Sequence, residues 1–155
     1  MTTREALEAA LVATPDDAAP HAVYADLLIE DGDPRGEFIR FQLAAEDRNQ
    51  PADKLRELEK AAFEIRQQHE REWLGELWPH LQRPPTAYSV AEPMEPNVSV
   101  TWRRGWIDAV RVGQLSDGIV AAIAENPFTQ LLGSLAIEQN QHPVEVRDEE
   151  DGTTF

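Results

Sequence analysis

Two stretches decide how this chain folds: Ile107-Asp108-Ala109-Val110-Arg111-Val112-Gly113-Gln114-Leu115 and Leu132-Gly133-Ser134-Leu135-Ala136-Ile137-Glu138-Gln139-Asn140. They align position for position at a spacing of 25 residues, so Ile107, Val110 and Val112 are answered by Leu132, Leu135 and Ile137. Residues two apart in a strand face the same side, which places 110 with 112 and 135 with 137 on one core. The first apolar residue of each stretch reaches that core from the preceding turn. Between them, Leu115 to Glu125 has helical spacing, with Ile119, Val120 and Ile123 expected to face inward, and Asn126-Pro127 breaks the helix.

Strand, covering helix and strand at this offset fit the roughly 20–29-residue period of leucine-rich repeats. Asn140 stands where such repeats use a side-chain amide to bond the turn. An ordinary β-α-β segment is the alternative. The chain holds about one and a half repeats, fewer than the three or so that stand alone, so the preceding helices must cap them. Upstream, Val98 to Trp102 alternates like a strand, and Pro79 to Pro96 carries five prolines and reads as a connector.

The N-terminal part reads as four helices. Thr2-Thr3-Arg4-Glu5 has the form of a capping box, and Leu7, Ala10 and Leu11 follow at helical spacing. A second helix after Thr14-Pro15-Asp16-Asp17 is expected to bury Val23, Tyr24, Leu27 and Leu28. Asp31-Gly32-Asp33-Pro34 then serves as stop and restart. A third helix carries Phe38, Ile39, Phe41 and Leu43. The fourth, about Ala52 to Leu77, draws a stripe through Leu55, Leu58, Ala62, Ile65 and His69. The expected class is therefore α+β. A helical domain at 1–80 and a connector at 81–97 lead to a strand-helix-strand unit at 98–147 and an acidic, disordered tail at 148–155.

Ala19-Pro20-His21-Ala22-Val23-Tyr24-Ala25-Asp26-Leu27-Leu28, followed by Asp31-Gly32-Asp33-Pro34-Arg35-Gly36-Glu37-Phe38-Ile39-Arg40-Phe41-Gln42, resembles the bacterial repeat-companion domain. The likeness covers about the first 45 residues. Trp102-Arg103-Arg104-Gly105-Trp106 also resembles the approach to the first repeat strand in such proteins. Leu27 departs from the pattern, standing where a Trp is usual, and the repeats stop almost at once. The resemblance implies a scaffold or interaction role and transfers no catalytic residue.

Charge and composition bound the function. The chain has 155 residues, 29 acidic and 14 basic side chains, a net charge of -15, and no cysteine. Disulfides and thiolate chemistry are excluded. The negative field repels nucleic acid and anionic lipid and favours basic partners or plain solubility. The charged N-terminus and the lack of a long apolar run point to a cytoplasmic protein. Asp26, Asp33 and Glu37 invite a metal-dependent enzyme, but Asp31-Gly32-Asp33-Pro34 lacks the ligand spacing of a cation loop. A structural reading pairs Asp26 with Arg35 or Arg40 in a partly buried ion pair that sets the angle between helices two and three. The scattered histidines have no ligand spacing, and His69 fits a hydrogen-bonded core or boundary histidine. No serine sits in a nucleophile elbow. The expectation is a non-enzymatic protein without cofactor. Its partner, a protein, would meet the strand surface near Arg111, Gly113, Ala136 and Glu138. A small acidic antagonist of a basic target is the alternative. An open last strand could also pair two copies into a homodimer, unless Val144-Glu145-Val146 covers it.

Overall fold

A computed structural model describes residues 2–82 and 96–138. The expected tail, Asn140 and Val144-Glu145-Val146, and most of the proline-rich connector lie outside them. Helix α1 (Thr3–Ala13) begins where expected. Thr2 Oγ1 accepts from the Glu5 amide at 3.1 Å, and Glu5 Oε2 accepts from the Thr2 amide at 2.9 Å. Asp17 caps α2 (Ala18–Glu30) through Ala19 N, and Asp33 caps α3 (Pro34–Ala45) through Arg35 N. Between these two helices Gly32 sits at φ +74°, the left-handed turn that stops α2.

The buried face of α2 is His21, Tyr24, Ala25 and Leu28, a run of three- and four-residue steps. Val23 falls off that arc and is half-exposed, contrary to expectation. Helices α2 and α3 approach closely at Gly36, where an added Cβ would lie 2.8 Å from Ala25 O and from Ile29 N. Helix α4 (Ala52–Leu74) buries Leu58, Ala62, Trp73 and Leu74. It ends at Gly75, and a 3-10 turn (Gly75–Leu77) leads into the single turn α5 (Trp78–Leu81). His69 makes no side-chain hydrogen bond among the described residues; it stacks on Trp73 with centroids 5.5 Å apart.

Three strands form one sheet in the order β1 (Val98–Arg103), β2 (Trp106–Val112), β3 (Ser134–Ile137). Strands β2 and β3 are parallel, with Val110 beside Leu135 and Val112 beside Ile137. That register has the 25-residue offset read from the sequence, so the two stretches are adjacent rungs. Helix α6 (Asp117–Glu125) connects them and buries Ile119, Ala122 and Ile123. Val120 is half-exposed instead, because 119, 122 and 123 share one helical face and 120 does not.

Strand β1 pairs antiparallel with β2 across a two-residue turn, Arg104-Gly105, at φ +52° and +75°. Two left-handed residues make the turn whose twist matches its flanking strands. The Trp102–Trp106 segment is thus a hairpin tip as well as the approach to β2. Its tryptophans are buried. Trp102 meets Phe38 edge-on and lies 5.8 Å from Trp73; Trp106 stacks on Tyr24. Helices and sheet therefore share a core in which Trp73, Leu74 and Leu77 join Val98, Ile107, Val110 and Val112. Asn126 adds a polar stitch: its Nδ2 donates to the carbonyls of Trp73 and Leu74 at 3.1 and 3.2 Å, closing the end of α4.

Candidate functional site

Among the described residues, the inner face of the sheet is covered at β1 and β2, and the outer face is bare. Cross-strand rows run Ser99–Arg111–Ala136 and Thr101–Ala109–Ser134 on that outer face. All these side chains are exposed except Ala109, which is half-buried. Small residues dominate, so the backbone is accessible, and Arg111 stands over them. Arg111 pairs with Glu138, and both remain more than half exposed. Glu138 N donates to Val112 O at 2.7 Å and so extends the β2–β3 ladder by one step. Of the four expected surface residues, Arg111, Ala136 and Glu138 come together. Gly113 closes the β1–β2 ladder, donating to Asn97 O at 2.8 Å, and an added Cβ would sit 3.0 Å from Asn97 Oδ1.

Strand β3 has a neighbour on one side only among the described residues. Its inward-pointing Leu135 and Ile137 are 47% and 44% exposed, whereas Val110 and Val112 beside them are fully buried. The first rung is covered by α6 and the second is not.

Comparison with family models, curated proteins and solved structures returns no match. No helix among the described residues is long and apolar enough to cross a membrane.

The ion pair expected between α2 and α3 takes a different form. Asp26 pairs with Arg40 at 3.5 Å, and both side chains are about two-thirds exposed. Such a surface pair contributes about 0–1 kcal/mol, not the several expected of a buried one. Arg35 turns the other way, into the joint between helices and sheet, and is 3% exposed. Its Nε donates to Gly105 O at 2.9 Å. Its guanidinium lies 4.1 Å from the Trp106 ring centre and 4.2 Å from that of Phe128. No carboxylate pairs with it among the described residues. Burial pushes its pKa down to about 10, so it remains a cation at neutral pH. Trp106 and Phe128 lie far along the chain, and no local pattern announces that they will sandwich Arg35.

Asp26, Asp33 and Glu37 do not converge. Asp33 is committed to the Arg35 amide, Asp26 faces Arg40, and no group of three metal-capable side chains gathers among the described residues. The hairpin tip is locked by ion pairs instead. Arg103 meets Asp16 at 2.9 Å, and Arg104 grips both oxygens of Glu46 while donating to Asp16 O at 3.0 Å.

Behind this tip His21 is 1% exposed, and its Nε2 donates to Pro15 O at 2.8 Å. The carbonyl can only accept, so Nε2 carries a proton. Desolvation lowers its pKa, outweighing the hydrogen bond to Pro15, and Arg104 and Arg103 lower it further. Below about pH 6.5 the unfolded chain takes up this proton while the folded one resists. Stability should therefore be complete above that pH and fall as pH drops through the lowered folded value. Denaturant unfolding between pH 7.5 and 5 is expected to show a shallower decline in His21→Gln than in the parent chain; equal slopes would remove His21 from the acid response.

Proposed function

We propose that this chain is a non-catalytic protein-recognition module that offers its outer sheet face and open β3 edge to a protein partner. One observation carries the reading: β3 continues the β2 rung in register, yet among the described residues its outer edge is unpaired and two of its apolar side chains are half-exposed. An edge of this kind accepts an added strand, whose backbone bonds supply affinity while side-chain pockets supply selectivity. The likeness of residues 19–42 to the repeat-companion domain supports a scaffold role, and the negative net charge argues against nucleic acid and anionic membrane as targets. The absence of cysteine agrees with a cytoplasmic site of action. A second copy of the chain is one candidate for the edge.

Affinity purification with the parent chain and with Arg111→Ala/Ile137→Lys tests the surface. The variant should lose at least about 90% of the specifically retained partner, as disruption of a central contact does. Retention equal to the parent would reject it. Light scattering on the same pair reports self-association. The charge of -15 favours one other reading, an acidic antagonist of a basic protein. In that case retention should collapse between low and high salt and be insensitive to Ile137→Lys.

A further inference from the structure

A groove of about 540 Å³ lies between α3, α4 and the β1–β2 hairpin, within the range of about 300–1,000 Å³ used by small-ligand sites. Its lining reverses the charge balance of the chain. Arg48, Arg66, Arg103 and Arg104 line it against only Glu46 and Glu59, whereas acidic residues outnumber basic ones two to one overall. Three of these arginines are engaged: Arg48 with Glu59 at 2.9 Å, Arg104 with Glu46, and Arg103 with Asp16. Arg66 has no carboxylate partner among the described residues, and its Nε is buried without an acceptor.

Trp102 lines the same groove, and its indole Nε1 is also a buried donor without an acceptor. A buried N–H left without an acceptor is destabilising, and both of these belong to side chains that line the groove. Phe63 supplies the apolar part. It is half-exposed, lines the groove, and lies 5.2 Å from the Arg66 guanidinium carbon.

We propose that this groove binds a small organic monoanion, a carboxylate carried on an aromatic frame. The carboxylate accepts from Arg66, whose planar fork suits two oxygens, with the Trp102 indole as the further donor. The frame covers Phe63. A monoanion matches Arg66, the one lining arginine without a carboxylate partner among the described residues, since Glu59, Glu46 and Asp16 already answer the other three. The same chemistry can arrive as a free acid or as neighbouring acidic and aromatic side chains of a peptide.

The test uses 3-phenylpropionate, its neutral amide, and a capped Glu-Phe dipeptide, titrated into the full chain and followed by amide and indole N–H resonances. The acid should give saturable shifts that include one indole signal, assigned to Trp102 by its loss in Trp102→Phe. The amide should bind at least about tenfold more weakly, and Arg66→Gln should weaken the acid by a similar factor, as expected for loss of a charge-assisted bond. Arg56→Gln, outside the groove on the same helix, should leave binding unchanged. Tighter binding of the dipeptide than of the acid would make a protein segment the source; the reverse would make it a free acid. The proposal is overturned if neither acid nor dipeptide saturates, if amide and acid bind equally, or if a folded Arg66→Gln binds like the parent.

Discussion

Gly105→Ala is expected to lower the free energy of unfolding by about 3 kcal/mol or more, from two independent causes. At φ +75° a side chain costs about 1–2 kcal/mol. The added Cβ would also lie 2.3 Å from Ile39 Cγ1, in a core where overpacking typically costs about 1–3 kcal/mol. In a chain of this size the thermal midpoint should fall by roughly 6–12 °C. Gly32 separates the causes, because it has φ +74° with nothing within 4 Å of an added Cβ. Gly32→Ala should therefore show the conformational part alone, roughly 1–2 kcal/mol. Equal losses at both positions, measured by denaturant titration, would show that contact with Ile39 does not matter. Ile39→Ala, which removes Cγ1, should cost less stability in the Gly105→Ala background than in the parent chain.

That hairpin marks the boundary of what was legible in the sequence. The parallel pairing of β2 and β3 could be read in advance because a two-residue strand period and a 25-residue offset are both local arithmetic. So could the helix starts at Thr3 and Pro34, since a cap is decided by residues within one turn. Val23 and Val120 show the opposite case. Each is apolar and next to the buried arc, and only tertiary packing decides which side of that arc the core covers. The surface residues Arg111, Ala136 and Glu138 were legible through strand alternation. The groove was not, because Arg66, Trp102 and Phe63 meet only after α4 and the hairpin have docked. Of the two partners expected for Asp26 the structure takes Arg40, and the place of Arg35 is hidden for the same reason: the aromatic rings that hold it are far along the chain.

Arg35→Ala should lower the unfolding free energy by about 2–4 kcal/mol, whereas Asp26→Ala should change it by no more than about 1 kcal/mol. Loss of the stem opens a cavity beneath Trp106 and Phe128, and Gly105 O loses its donor. Against this runs relief of a desolvated charge with no carboxylate beside it. Burial of the guanidinium at 3% exposure disfavours the cation in the folded state and holds its pKa down to about 10. By linkage, the stability withheld at neutral pH returns only as pH rises from about 10 towards the unfolded value. Arg35→Met isolates that term, because it keeps much of the volume and removes the charge. If desolvation dominates, the Met variant should match or exceed the parent in stability, as buried charged groups replaced by apolar ones often do. If the sandwich between two rings dominates, it should fall between the parent and Arg35→Ala. Two rings within 4.2 Å, each worth about 2 kcal/mol to a desolvated cation, favour the second outcome. The expected order of thermal midpoints is therefore parent, Arg35→Met, Arg35→Ala. A Met variant more stable than the parent would show that Arg35 is held in the joint at a net cost.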